Sequence, residues 1–267
     1  MIAPGELTVR TTADAAGVTR ITGLRQRYPQ RVTTALHTDA AYPRAAMLCV
    51  QSPSGGTFSD DDLHTRVHCG AGTHLHLTSQ AATQVFAGSG PGARHRIEFT
   101  AEPGAVLEYL PKTIIPQSDS VFVQKIDVDV DAGGVYIGWD ALAAGRIAHG
   151  ERFRYATIDN SFTVRSQGRL IARDRQRITG THSLDGDYLA TLLIVTPGRS
   201  PDPALAAVRA VLDRHPEIHG GAGELPHRAG VFARLTARRA PELNRVRLAL
   251  HAAARRTVLD PPLARSA

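Results

Sequence analysis

With 267 residues, 42% hydrophobic but only 5% aromatic, the chain is long enough to bury a core resting on Val, Leu, Ile and Ala. Its two cysteines, Cys49 and Cys69, have no metal-ligand spacing and make no disulfide framework, which fits a reducing compartment. The net charge of +6 gathers from Arg228 onward, where nine arginines face only Glu242 and Asp260; one aromatic (Phe232) and no recognition motif argue against nucleic acid and for a solvated helix face or a patch that docks on an acidic protein.

From the N-terminus, "MIAPGELTVRTTADAAG" has neither a basic n-region nor an apolar h-region, so no signal peptide is expected. The most apolar run, "YLATLLIVT" (188–196), is far too short to cross a bilayer. The expectation is a soluble, cytoplasmic protein without membrane partners. Next, "GGTFSDDD" (55–62) is a Gly-rich acidic turn that lacks both the GK[ST] of a phosphate loop and EF-hand spacing.

Three Gly-bearing turns then recur: "HCGAGTHLHL" (68–77), "AEPGAVLEYL" (101–110) and "DAGGVYIGW" (131–139). Alternating strands precede them: "DLHTRVH", "RHRIEFT" and "QKIDVDV". Aligned on the following strand, Thr73, Ala105 and Val135 correspond. This strand–turn–strand repeat fits stacked, β-helix-like hairpins or an antiparallel sandwich, and the pattern alone leaves both open. Two prolines keep "LPKTIIPQSDS" (110–120) out of a central strand. A strand pair follows over 161–178, turning at Ser166-Gln167-Gly168.

The end changes character. Residues 200–215 read as a helix with Asp202 as N-cap and Pro203 at the first helical position. "HGGAGEL" (219–225) reads as a Gly-rich link, "GVFARLTA" (230–237) as a strand, and 240–257 as a second helix. The predicted fold is mainly β, a single domain over 1–267. Residues 1–199 form its β core, and 200–267 supply two helices, a strand and a basic tail.

Few residues suggest chemistry. His74 and His76 share a strand face in metal-ligand geometry, but Gln80 and Ala81 stand where a cupin-type Glu belongs, and no Asp follows as in metallohydrolases. The plain reading is two histidines on the wet face of a strand; the alternative is a β-fold metal-binding enzyme. Asp127, Asp129 and Asp131 line one face, as solvated charges that discourage edge pairing or as a docking surface for a basic partner. In "GRIAHGERF" (145–153), Glu151 among Arg146, His149 and Arg152 reads as a local salt bridge. No nucleophile motif is present, which favours binding or scaffolding over catalysis.

In order, "GGTFSDD" (Gly55, Gly56), "LTSQAATQVF" (Thr78, Gln80, Ala81, Ala82, Thr83), "LEYLPKTIIP" (Glu108, Leu110, Pro111), "GRIAHGERF" (Gly145, Arg146, Gly150) and "GRLIARDRQRI" resemble the urease accessory protein UreD (UreH) family over about residues 50–180. The resemblance implies a non-catalytic scaffold with a β-helix-like fold and two helices. It would bind a UreF-type protein, through it the GTPase UreG, and the urease subunits, and help deliver nickel. No cofactor would be tightly bound, and nickel would be in transit through an internal passage. It also implies Asp61 and Glu151 as candidate passage-lining groups; their plain alternatives are a turn cap and an arginine partner. "TSQAAT" is expected to pack inside the β stack, with Thr78, Gln80 and Thr83 satisfying backbone groups and the passage beside it. Departures from the family pattern include Ser79, Gln84 and Phe86, Ser59-Asp60 for a glycine pair, and Asp140 where a Glu is common.

Overall fold

The computed structural model describes residues 4–180 and 184–259. β1 (Gly5–Ala13) and β2 (Thr19–Arg27) form an antiparallel hairpin, and the short β3 (Arg31–Val32) leads to β4 (Ala46–Gln51). Then come β5 (Asp62–Cys69), β6 (His74–Ser79), β7 (Thr83–Val85), β8 (Ala93–Ala101), β9 (Val106–Leu110), β10 (Ile114–Pro116), β11 (Val121–Val130) and β12 (Val135–Ala143). β5, β8 and β11 are parallel neighbours in one sheet, and β6, β9 and β12 are parallel neighbours in a second. Each Gly-bearing turn carries the chain from the first sheet to the second. The parallel ladders decide between the two expected architectures: the repeat is a solenoid coil, not an antiparallel hairpin.

The three turns close alike. Thr73 N–H donates to the Gly70 carbonyl, Ala105 N–H to Glu102 and Gly134 N–H to Asp131. Just before each lies a glycine in the left-handed region, Gly72, Gly104 and Gly133, where a side chain would be strained. The third repeat position is therefore Gly134, one residue earlier than the Val135 read from the sequence, and Val135 pairs with Val106.

β13 (Thr157–Ser166) adds in parallel to β11, and β14 (Arg169–Thr179) folds back on it through Gln167-Gly168, both at positive φ as a tight hairpin turn requires. β15 (Tyr188–Val195) pairs antiparallel with β12. The remaining elements are α1 (Asp202–Asp213), β16 (Ile218–Glu224), β17 (Gly230–Ala237) and α2 (Ala240–Val258). The first sheet runs β14-β13-β11-β8-β5-β1-β2, and the second β16-β17-β15-β12-β9-β6-β4-β3. β10 pairs with β7 in a small inner ladder that touches β12, so the proline-bounded segment yields a three-residue strand.

One core fills the space between the sheets, with Leu75, Leu77, Ile97, Phe99 and Leu107 fully or almost fully buried. A second lies between the outer face of the second sheet and the helices, where Ile137, Trp139 and Ile194 meet Val208, Val246 and Leu250. β12 is buried at every position because both of its faces are covered.

Two expectations need correction. The Gly-rich stretch at 219–225 is not a link: β16 covers most of it and pairs with β17 along its whole length. A Cβ on Gly220 would lie 2.3 Å from the Arg234 carbonyl oxygen, so glycine lets the strands approach. The last segment thus holds two strands. Asp202 is the first helical residue, with Pro201 at the cap; its carboxylate accepts from Ser200 and Arg228. Of the basic tail, residues 260–267 lie outside the described residues. Six of the eight arginines before them pair within the chain: Arg228 with Asp202 and Glu224, Arg234 with Asp174, Arg238 with Asp185, Arg239 with Glu242, Arg245 with Glu217, and Arg255 with Asp39 and Glu108.

α2 is pinned to the second sheet by one buried carboxylate. Glu108 accepts from His74 Nε2 at 2.5 Å, from His251 Nε2, and from Arg255 Nε and Nη2 at 2.8 and 2.7 Å. Burial alone would raise its pKa, but these donors outweigh it and hold the carboxyl well below the usual range. Arg247, His251 and Arg255 stand four residues apart, so they form one stripe of the helix.

Candidate functional site

Alternation in the first sheet sends every second residue inward, and along one row the inward residues are polar. His95 on β8 neighbours Gln124 on β11, which neighbours Asn160 on β13, which neighbours Gln176 on β14. From the facing sheet, Asp140 on β12 and Thr191 on β15 reach this row. Gln124 Nε2 donates to Asp140 Oδ1 at 3.0 Å, Asn160 Nδ2 to Asp140 Oδ2 at 2.5 Å, and Gln176 Nε2 to Thr191 Oγ1 at 3.2 Å. At the other end Thr65 Oγ1 donates to Gln30 Oε1 at 2.6 Å. Its single proton is thereby used, so the 2.9 Å contact with His95 Nε2 has the imidazole donating, and His95 Nδ1 is left as an acceptor.

Asp140 is 6% exposed, and among the described residues no basic side chain pairs with it. Burial pushes its pKa up to about 6, against the pull of the two amide donors. Near neutral pH it is mostly an anion whose charge is solvated by amides and left uncompensated. Burial pushes His95 down to about 4, so it is neutral there. A cavity of about 80 Å³, lined by Thr78, Thr83, His95, Gln124 and Asp140 among others, meets at Asp140 a narrower one of about 10 Å³ beside Asn160, Gln176 and Thr191. The first has room for several waters, and the second for about one.

The residues singled out in the sequence fall elsewhere. Asp61 caps its own turn, accepting the Phe58 N–H at 2.8 Å. Glu151 forms a two-pronged pair with Arg146 and accepts the Ser118 N–H; Arg146 holds it down to about 2. Neither carboxylate lines the two inner cavities. His74 and His76 do share a face, but that face is not wet: α2 covers it, His74 bonds Glu108, and the His76 ring lies 5.8 Å from that of His251. Among the described residues no group of three His, Cys, Asp or Glu side chains is placed to hold a metal ion. Asp127 points outward and pairs with Arg165 at 3.4 Å.

"TSQAAT" is not packed inside the stack. Thr78, Ser79, Ala82 and Thr83 are half-buried, and Gln80 and Ala81 are exposed. The run is a coil corner and a partition. Thr78, Ser79 and Thr83 line the inner cavity, whereas Gln80, Ala81 and Ala82 line a groove on the outside. Its hydroxyls serve the neighbouring loop, Thr78 Oγ1 donating to the Leu110 carbonyl and Ser79 Oγ accepting the Lys112 N–H, both at 2.8 Å. Leu110 and Pro111 thus belong to the adjoining wall. Two motif glycines permit close approach: a Cβ on Gly56 would lie 2.6 Å from the Gln84 carbonyl oxygen, and one on Gly145 2.2 Å from that of Glu151. Gly150, in the left-handed region, ends the short helical turn between them.

Stacked parallel coils, a helical layer latched on one face and a polar seam sealed between the sheets define a solenoid-type β protein whose unusual chemistry lies inside. Comparison with known proteins identifies its kind. The family model described as UreD urease accessory protein matches residues 3–266. The urease accessory protein UreD of Mycolicibacterium gilvum is 59% identical over 262 residues, covering 97% of this chain and 96% of the relative. A urease accessory protein UreD 2 of Streptomyces griseus is 31% identical over 82% of this chain and 78% of its own length, and the UreD of Cenarchaeum symbiosum 27% over 79% and 77%. The chain belongs to the UreD family of urease accessory proteins, and the resemblance first read over its middle extends to nearly its whole length. Among the described residues no helix is long and apolar enough to cross a membrane.

Proposed function

We propose that the chain is a non-catalytic maturation scaffold that binds a UreF-type protein, through it the GTPase UreG, and apo-urease, and that nickel crosses its interior along the polar seam. The observation that carries the route is Asp140: a buried anion with amide donors and, among the described residues, no cationic partner. Such a group draws a divalent cation inward. The other groups of the polar row are neutral amides, hydroxyls and one imidazole, and Lys112, which also lines the cavity, forms no ion pair with Asp140; such ligands bind nickel weakly and release it, as transit requires. The names of the relatives support the urease setting. Asp61 and Glu151 enter this reading as anchors of loops outside the seam. The alternative, a metalloenzyme on His74 and His76, gains no support from geometry, because His74 is engaged by Glu108 and both lie beneath α2. The test is urease maturation with Asp140→Asn: partner capture persists while the nickel content of urease falls. Normal nickel content with this variant would remove the seam from the route.

A further inference from the structure

Outside the coil corner, the run Gln80–Ala82 borders a surface groove of about 430 Å³. Its other walls are the loop at Lys112, the rings of Trp139 and Tyr188, and the first turns of α2 at Arg247. We propose that this groove is the docking site for an acidic peptide segment with an aliphatic or aromatic anchor, supplied by the accessory partner of the scaffold function; the inference rests on that reading.

Charge argues first. Among the described residues, Lys112 and Arg247 are the only charged residues lining the groove, and no carboxylate lines it. Arg247 is half-buried, yet its recorded partner is the Asn244 amide oxygen at 3.0 Å. The comparably buried Arg146, Arg234 and Arg255 each hold a carboxylate. A partly desolvated guanidinium without an anion gains strongly from one delivered by a ligand. Lys112 is exposed and also lacks an ion pair among the described residues.

Shape argues second. The floor is apolar, with Trp139 almost fully buried beneath it, so an anchor side chain inserted there would shed water. Ala81 is exposed and Ala82 half-buried, so neither is required as core. What their small size does is keep the groove open. Position argues third. Pro111 and Lys112 line both this groove and the inner cavity, so a segment seated here lies across the thin wall from the seam.

The test uses the full chain co-expressed with its accessory partner, with affinity measured for wild type, Arg247→Glu, Arg247→Lys and Ala81→Trp over a range of salt. We expect Arg247→Glu and Ala81→Trp each to weaken the complex about tenfold or more with thermal unfolding unchanged, and Arg247→Lys to stay within about threefold. Wild-type affinity should fall with salt, and more steeply than that of Arg247→Glu. A photo-crosslinking amino acid at position 81 should join an acid-rich segment of the partner. If wild type captures the partner and both disruptive variants bind as well, the groove is not the docking site. Crosslinking to a second copy of this chain or to a urease subunit would overturn it equally. If wild type captures no partner at all, the scaffold reading fails, and the groove assignment with it.

Discussion

Asp140→Asn removes a charge and keeps the shape of the side chain. Burial lifts the Asp140 pKa from an ordinary 3.8 to about 6. Each pKa unit corresponds to about 1.4 kcal/mol, so above pH 6 the charge costs the native state about 3 kcal/mol. The sign follows from the folded value being the higher one. The native state holds the proton more tightly, so the penalty is absent below the unfolded value, grows as pH rises through the window from about 4 to 6, and is complete above it. Asparagine has a single amide oxygen, so it keeps one of the two donors, Gln124 or Asn160, and the lost second hydrogen bond offsets about 1 kcal/mol of the gain. In urea unfolding, the variant should therefore be more stable than wild type by about 2 kcal/mol near pH 7.5, by less than about 1 kcal/mol near pH 5, and no more stable near pH 4. Equal stability near pH 7.5, or a gap that persists unchanged in acid, would refute the argument that Asp140 is an uncompensated buried anion. The same variant should deliver less nickel, which makes it a more stable but poorer accessory protein.

Glu108→Gln should act in the opposite direction. It leaves Arg255 buried with Asp39 alone and should cost about 3 kcal/mol or more in denaturant unfolding. Because the folded pKa of Glu108 is depressed, its contribution is present above the ordinary carboxylate range and lost as pH falls, so the gap between variant and wild type should narrow in acid. Gly145→Ala forces a Cβ against the Glu151 carbonyl at a φ of +138° and should lower stability by roughly 1–3 kcal/mol, read from the thermal midpoint. Replacing Asp61 and Glu151 together by Ala should leave partner capture intact and, by loosening the loops they anchor, reduce nickel loading of urease less than Asp140→Asn does; loading reduced as much as by Asp140→Asn would put these carboxylates on the route itself.

The coil was legible because its signals are local: alternating strands, a glycine before each turn, and apolar runs where both faces are covered. Its third repeat is shifted by one residue because the third turn closes like the other two but carries a glycine, Gly134, where they carry Thr73 and Ala105, so composition alone reads it as part of the turn. β16 was missed because four small residues in its run mimic a linker, and only β17 gives them ladder bonds. The seam was missed for a different reason. Gln124 lies between Phe122 and Ile126 in inward phase, and Asn160 between Ile158 and Phe162, so polar residues at core positions were readable. That Asp140, from another sheet, would close on both of them was not, since it depends on how the coils stack. The wet-face reading of His74 and His76 failed likewise, because α2 returns over them from the far end of the chain.

The polar row in the first sheet has a built-in pitch. His95, Gln124, Asn160 and Gln176 occupy the same register on four hydrogen-bonded neighbours, so their backbones repeat at the interstrand distance of about 4.8 Å. A path along them crosses the strands rather than following them, and over three intervals it measures roughly 14 Å. Backbone hydrogen bonding, not side-chain packing, therefore acts as the ruler for the distance between successive polar groups of the row. One more parallel coil would add one more step of the same length, whereas a deletion within a coil would shift its side chain to the wrong face and leave a gap twice as wide.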